Sequence, residues 1–202
     1  MNERYNDFVK FQKTWGDLHM GSNPRIDPLF VKGDLDICYN ESGRYYHNAR
    51  HINEGLLELD AVRHLLKEKS EAEIAWYFHD SDYDARAKDN EEKSAERFSN
   101  IVARSGISRL RISKVSRLIL ATKHLAIPSG GDAQIIVDVD LSILGKPEKV
   151  FDEYERNISE EYSWVEEETF KRERKKILEN FLKRGSIYTT PFFKERYEEQ
   201  AE

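Results

Sequence analysis

Histidines are the residues of this chain best suited to chemistry, and four of its six fall within or at the ends of predicted helices. His47 and His51 are four residues apart, so on one helix they would occupy one face, one turn apart, close enough to act on a shared centre. A neutral imidazole binds metal ions, and its ordinary pKa of about 6.5 also suits proton transfer at physiological pH. The spacing of His47 and His51 is therefore compatible with either role.

His79 and Asp80 are adjacent at the carboxyl end of the most apolar predicted helix. A buried polar pair there is costly unless partners or a metal ion satisfy it. Alternatively, His79 only caps the helix, where a cation meets the negative end of the dipole, and Asp80 begins a turn. Asp138 and Asp140 lie on a further predicted helix, where two residues apart they point in different directions, so only one of them can face a site.

The composition limits the kind of site and of partner. The chain has 202 residues, which suits one domain, and 39% hydrophobic residues provide a core. Its one cysteine, Cys38, forms no internal disulfide and no sulfur-rich zinc site, so any metal must be held by His, Asp and Glu. The net charge of -6 provides no positive field for long nucleic acid or an anionic membrane. A phosphate must therefore be bound locally, by a few cations or a metal.

The sequence carries no sign of membrane insertion or export. No stretch approaches the roughly 18 uncharged apolar residues of a spanning helix. The first residues lack the apolar run of a signal peptide. We therefore expect a cytoplasmic protein without membrane contact, and the sequence leaves its oligomeric state open.

Helical periodicity dominates the chain, so helices must position these side chains. Predicted helices cover about residues 3–18, 44–67, 70–80, 90–105, 108–125, 132–144 and 165–184, and Pro191 begins a last piece. Ser70 and Glu73 have the spacing of a capping box, and Ser108 is the predicted cap of a later helix.

Two segments allow other interpretations. Turn-forming residues between 20 and 43 favour a long ordered loop or lid. Residues 135–137 are β-branched and could form a buried strand, but no partner strand is evident, so we favour helix. We therefore expect a single all-α bundle over residues 1–202, in which residues 165–202 form a C-terminal helical extension.

In combination, these segments resemble the HD-domain superfamily of metal-dependent phosphohydrolases, whose ordered signature is a His, then a His-Asp pair, then a distant Asp. Within it, residues 4–188 look like the branch described as predicted metal-dependent HD phosphohydrolases. The resemblance is carried by Arg44-Tyr45-Tyr46-His47-Asn48 with His51-Ile52, Trp76-Tyr77-Phe78-His79-Asp80, Asn90-Glu91 with Ser94-Ala95, and Asp138-Val139-Asp140-Leu141-Ser142-Ile143-Leu144-Gly145. It implies an HD-domain-like helical bundle in which His51, His79, Asp80 and Asp140 ligate a divalent cation.

Ligands of these types suit Mn, Co, Ni, Fe or Zn, or a loosely held Mg, and leave positions open for water. The spelling Tyr-His-Asn-x-x-His is also similar to cyclic-nucleotide phosphodiesterases, in which the first His donates a proton to the leaving oxygen and the second binds metal. We therefore expect His47 to be the general acid and His51 a ligand, but the two roles could be exchanged. The same alternative stays open for Asp138 and Asp140.

A second group of side chains flanks the expected site in sequence. We expect Glu91, together with Asp80, to take part in catalysis, since Glu91 could orient the attacking water or hold a second cation. The basic members of the group could neutralise substrate phosphates. The candidates for a second metal or for phosphate are His124, Asp84, Arg44, Lys93 and Lys123.

Together these expectations describe a metal-dependent phosphohydrolase that uses a metal-activated water on a nucleotide or another small phosphorylated metabolite. Phosphomonoesterase, phosphodiesterase and pyrophosphohydrolase activities all remain open at this stage. The alternatives are a cyclic-nucleotide-type phosphodiesterase and a non-catalytic helical module that binds a metal or a nucleotide.

Overall fold

Every regular element is helical in the computed structural model, which describes residues 2–20 and 26–202, with side chains from residue 7 onward. The helices are α1 (Asn2–Leu18), α2 (Pro28–Cys38), α3 (Ala49–Ala61), α4 (Lys69–Phe78), α5 (Asn90–Val102), α6 (Arg109–Ala121), α7 (Asp132–Leu141), a 3₁₀ turn (Ser142–Gly145), α8 (Glu148–Glu161), α9 (Glu167–Leu182) and α10 (Pro191–Ala201). The predicted all-α fold is confirmed for this part of the chain, and residues 135–137 belong to α7 rather than to a strand. None of these helices is both long and apolar enough to cross a membrane.

The helix α4 lies at the centre of the molecule. Ile74, Trp76 and Phe78 have no exposed surface. Five other helices, α1, α3, α5, α6 and α7, pack around α4. As the sequence predicts, its apolar character on nearly every side reflects burial on nearly every side. The polar pair that follows Phe78 is therefore carried into the interior.

The predicted loop or lid over residues 20–43 is wrong where α2 lies. Asp27 accepts a hydrogen bond from the backbone N–H of Leu29, which caps the helix. Pro28 takes the first helical position, where its missing N–H has no consequence. Proline thus begins a helix here instead of interrupting one. Residues 21–25 of the predicted loop lie outside the described residues.

The helix α3 begins at Ala49, later than predicted. Asn48 caps it by accepting a hydrogen bond from the backbone N–H of Arg50. His47 therefore precedes the helix, in an irregular segment. The prediction that His47 and His51 lie one turn apart on one helix face is wrong for this reason.

The capping box predicted for Ser70 and Glu73 is also wrong, since both residues are buried within α4. No side chain of the described residues caps the first turn of α4, and Asp132, at the start of α7, instead holds the two residues that precede the helix. Its two carboxylate oxygens accept hydrogen bonds from the backbone N–H groups of Lys67 and Glu68. These long-range hydrogen bonds fix the segment before α4 against α7.

The last third of the chain contains one helix that was not predicted and two that were. The helix α8 lies in a stretch where periodicity predicted no element. No residue of α9 is buried. The helix α10, which begins at Pro191 as predicted, buries Phe193 and Tyr197. In α6, Ser108 is the cap that the sequence predicts.

Candidate metal centre

Side chains from α3, from the end of α4 and from α7 converge in one group, named here the His/Asp cluster (His51, His79, Asp80 and Asp140), of which all but the half-buried Asp140 are buried. Nε2 of His51 lies 3.1 Å from Nε2 of His79. Oδ1 of Asp140 lies 3.4 Å from Nε2 of His51 and 3.8 Å from Nε2 of His79. Ligand atoms of these three residues all lie within 4.8 Å of one another. Asp80 adds Oδ2, 3.0 Å from Nε2 of His79 and 3.7 Å from Nε2 of His51.

A glycine on α3 allows α3 and α4 to approach closely enough to form the cluster. A Cβ atom at Gly55 would lie 1.9 Å from Cζ2 of Trp76, so no other residue fits without displacement. The indole Nε1–H of Trp76 donates a 2.8 Å hydrogen bond to the carbonyl oxygen of Ile52. The indole also stacks on the ring of His79, with centroids 4.2 Å apart. Trp76 therefore holds α3 and orients one of the cluster's imidazoles.

The protonation of His79 is set by its neighbours. Nδ1 lies 2.8 Å from the carbonyl oxygen of Trp76, which only accepts, so Nδ1–H is the donor and Nε2 faces the cluster. Burial lowers the pKa of His79, but Asp80 and Asp140 outweigh burial and raise this pKa to about 9. Burial raises the pKa of Asp80, and the charge of His79 nevertheless holds it well below its ordinary value. A bound cation would displace the proton from Nε2.

The donor set fits a divalent cation. Two imidazole nitrogens and two carboxylates are typical ligands of Mn, Fe, Co, Ni and Zn. Two Nε2 atoms 3.1 Å apart cannot both direct lone pairs at each other in a buried site, so a proton or a cation must lie between the rings. His51, His79 and Asp140 would hold the ion, with Asp80 beside them.

Asp138 and Asp140 face opposite directions from α7, as the helical geometry requires. Each carboxylate oxygen of Asp138 accepts two hydrogen bonds, from the backbone N–H and the hydroxyl of Thr189 at Oδ1 and from those of Thr190 at Oδ2. Asp138 thus fixes the start of α10, and Asp140 is the carboxylate that reaches the cluster.

His47 is paired with a carboxylate that the sequence did not reveal. Nδ1 of His47 lies 2.6 Å from Oε2 of Glu161, at the end of α8. Oε1 of Glu161 accepts the backbone N–H groups of Tyr46 and His47, and Oε2 also accepts the hydroxyl of Tyr83. Glu161 stood among 38 acidic residues, in a stretch with no predicted element, so no sequence signal distinguished it.

A cavity of about 420 Å³ opens beside the cluster, and His47, Asp80 and Asp140 lie in its wall. The ring of His47 stacks on Tyr83, with centroids 4.1 Å apart. Since Nδ1 of His47 is occupied by Glu161, Nε2 is the nitrogen left for a ligand. The other lining side chains include Tyr83, Glu91, Lys123, His124, Tyr154 and Phe181.

Of the second group of candidates, Glu91 and Lys123 line this cavity, whereas Asp84 and Lys93 do not. Nζ of Lys123 lies 3.8 Å from Oε2 of Glu91. Burial raises the pKa of Glu91. Asp84 accepts a hydrogen bond within its own loop, and Lys93 forms an exposed ion pair with Asp89.

Arg44 supports the turn that carries the His-Asp pair. Its guanidinium donates to the carbonyl oxygens of Asp80, at 2.6 Å, and of Ser81, at 3.1 Å, and it pairs with Glu41. Arg44 is buried and does not line the cavity. Its donors are therefore directed at the protein backbone rather than at a phosphate.

His124 is the last candidate, and it touches the cluster directly. Its Nε2 lies 2.7 Å from Oδ2 of Asp140.

A scan against protein-family models, a search of curated proteins and a search of solved structures each give no match for this chain. The chemistry of the site must therefore be inferred from its own side chains.

Proposed function

We propose that this chain is a metal-dependent phosphohydrolase of the HD type, acting on a nucleotide or another small phosphorylated metabolite. One observation carries the proposal: His51, His79, Asp80 and Asp140, remote along the chain, converge in one cluster. Asp80 and Asp140 also face a cavity that His47 lines. Imidazoles and carboxylates that meet from separate helices are costly to bury unless they serve a shared ligand.

The ion would be held by His51, His79 and Asp140, with Asp80 as a fourth ligand. When bound, such a cation lowers the pKa of coordinated water and offsets the charge of phosphoryl oxygens. Asp80 stays ionised because the charge of His79 lowers its pKa. The cluster therefore offers the anionic oxygens that a divalent cation requires.

His47 is the proton donor in this proposal. Burial lowers its pKa, but the hydrogen bond that Nδ1–H donates to Glu161 and the charge of Asp80 outweigh burial and raise the pKa above the ordinary value, which favours the protonated imidazole. Glu161 holds Nδ1 and thereby directs Nε2 to the cavity. From this nitrogen a proton passes to the leaving oxygen of a substrate.

The size and the walls of the cavity favour a small substrate. A volume of about 420 Å³ falls in the range of about 300–1,000 Å³ that is usual for small-molecule sites. Tyr83, Tyr154 and Phe181 supply aromatic surface, and Lys123, whose ammonium is paired with Glu92, lies at the wall. Together with the net charge of -6, this supports a compact phosphate ester or anhydride over a long nucleic acid.

The test combines metal analysis with a hydrolysis screen. Purified protein is loaded with Mn²⁺, Co²⁺, Ni²⁺ or Mg²⁺ and assayed for phosphate release from nucleotides, cyclic nucleotides, phosphomonoesters and pyrophosphates. We expect Asp80→Ala to abolish turnover. Asp84→Ala is the matched control, since it removes a nearby carboxylate that does not line the cavity, and it should retain full activity.

Three outcomes separate the proposal from its alternatives. Hydrolysis that survives in Asp80→Ala contradicts the metal centre. Turnover confined to cyclic nucleotides favours the phosphodiesterase, to which the pairing of His47 with a carboxylate is also suited. A nucleotide that binds without turnover in the presence of every metal favours the non-catalytic module.

A further inference from the structure

His124 has an unusual backbone conformation for its residue type. Its φ is 55°, and it is the only non-glycine residue with a positive φ in the part of the chain that the structure describes. The left-handed region places Cβ of an L-residue close to the carbonyl oxygen, so glycine or asparagine normally occupies it after a helix end. A histidine there needs a reason, and strained residues often mark functional sites.

The side chain of His124 reaches the metal-binding carboxylate. Nε2 lies 2.7 Å from Oδ2 of Asp140, and an ionised carboxylate only accepts, so Nε2–H is the donor. The other oxygen, Oδ1, is the one that lies 3.4 Å from Nε2 of His51 and 3.8 Å from Nε2 of His79. The two oxygens of Asp140 are thus divided, one held by His124 and one presented to the cluster.

The surroundings of His124 fix its backbone and leave its ring with one polar partner. Nδ1 is buried and has no hydrogen-bond partner. The carbonyl oxygen of His124 accepts a 3.0 Å hydrogen bond from Arg184, just beyond α9. The ring meets Phe181 edge-on, with centroids 6.0 Å apart. The bond to Asp140 is therefore the polar contact that this strained conformation provides.

We propose that His124 is a positioning residue for the metal centre, whose left-handed backbone directs its imidazole to hold Asp140 with Oδ1 facing His51 and His79. This inference rests on the metal centre of the proposed function. Partners that orient a metal-ligating carboxylate tune the affinity of a site, and their loss typically weakens metal binding about 10–100-fold.

Two substitutions at this position separate positioning from a merely structural role. His124→Asn tolerates the left-handed conformation but is too short to reach Asp140, whereas the longer amide of His124→Gln can donate in place of Nε2. Positioning predicts that metal affinity falls about 10–100-fold in the Asn variant and recovers in the Gln variant. A role in the backbone alone predicts instead that the Asn variant is more stable than the Gln variant, because Asn suits a positive φ better than Gln does.

The experiment measures the dissociation constants of Mn²⁺ and Co²⁺ by calorimetry, the visible absorption of the Co²⁺ form, and the melting temperature of the metal-free chains. His64→Asn, at an exposed histidine, is the matched control and should leave all three unchanged. His51→Ala should remove high-affinity binding. Circular dichroism confirms that each variant is folded.

Metal affinity that is unchanged in the folded His124→Asn variant, while His51→Ala abolishes binding, overturns the positioning role and leaves the metal centre intact. Two ions per wild-type chain that fall to one in His124→Asn would make His124 a ligand and also overturn it. A wild-type chain that binds neither Mn²⁺ nor Co²⁺ overturns the metal centre and this inference together.

Discussion

At the scale of single residues, the pairing of His47 with Glu161 decides whether the imidazole can act as an acid. Burial alone lowers the pKa of His47, and the hydrogen bond to Glu161, together with the charges of Asp80 and Glu161, reverses this effect. Burial raises the pKa of Glu161, yet His47 holds it below its ordinary value. Each partner therefore favours the charged form of the other, which a proton donor at neutral pH requires.

We expect Glu161→Gln to lower the pKa of His47 in the metal-free protein, because a neutral amide no longer offsets the burial of the imidazolium. Tyr83→Phe is the control, since it removes a hydrogen bond to Glu161 without removing the charge, and it should change the pKa less. Imidazole NMR signals followed through a pH titration give both values. If the pKa of His47 is unchanged in Glu161→Gln, the carboxylate of Glu161 does not raise it.

The same pair predicts how stability depends on pH. The pKa of His47 is raised in the folded state above the 6.5 of the unfolded chain, so its contribution to the free energy of unfolding is fully present below pH 6.5. The contribution is lost as the pH rises through the folded pKa. The stability difference between wild type and Glu161→Gln should therefore shrink as the pH increases, which urea denaturation of the metal-free proteins at several pH values measures. A difference that grows over this range contradicts the pairing.

The resemblance in sequence implied that His51, His79, Asp80 and Asp140 belong to one site, and the structure brings these four side chains together. Residue types and spacing alone left open which histidine of the His47/His51 pair and which aspartate of the Asp138/Asp140 pair faces it. Glu161 could not be predicted, since 114 residues separate it from His47 and only the folded chain brings the two together. The strained backbone of His124 likewise depends on contacts that local patterns do not contain.

At the scale of elements, the site depends on how closely α3 and α4 approach. His51 lies on α3 and His79 ends α4, so the distance between the two helices sets the distance between the rings. Gly55 and Trp76 form the contact between these helices. A small residue against a large one allows a shorter separation than two ordinary side chains would.

We expect Gly55→Ala to lower the free energy of unfolding by about 1–3 kcal/mol, because the added methyl group overlaps the indole of Trp76. Gly33→Ala is the matched control on α2, where an added Cβ meets nothing within 4 Å. That change should stabilise the protein by about 0.4–1 kcal/mol through the unfolded chain. Urea denaturation of both variants tests this. Equal effects at the two positions would show that the contact with Trp76 does not constrain α3.

Periodicity predicted most of the amphipathic helices but missed α8, and it misjudged helices whose limits depend on single residues. Pro28 suggested a break and instead begins α2, because proline suits the first helical turn as well as a loop. Ser70 suggested a cap, but it lies inside α4, and the segment before this helix is held from α7 by Asp132, which lies far along the sequence. Boundaries set by tertiary contacts cannot be predicted from local spacing.

At the scale of the whole molecule, α7 connects three regions of the fold. Asp132 holds the segment before α4, Asp138 holds the segment before α10, and Asp140 enters the His/Asp cluster. The 3₁₀ turn after α7 packs against α8 and α10. The C-terminal residues that the sequence suggested as an extension thus pack against the turn that follows the helix carrying Asp140.

This arrangement predicts that Asp138 contributes to stability, whereas Asp140 contributes to metal binding. We expect Asp138→Asn to lower the free energy of unfolding by roughly 1.5–3 kcal/mol, because an amide nitrogen cannot accept hydrogen bonds that now end on a buried carboxylate, while the folded chain still binds Mn²⁺. Asp140→Asn should remove high-affinity Mn²⁺ binding, since it replaces the anionic oxygen shared by His51 and His79. Urea denaturation of the metal-free proteins and calorimetric titration with Mn²⁺ measure the two effects. The reverse result, with binding lost in Asp138→Asn and kept in Asp140→Asn, would exchange the roles of the two aspartates and require a different orientation of α7.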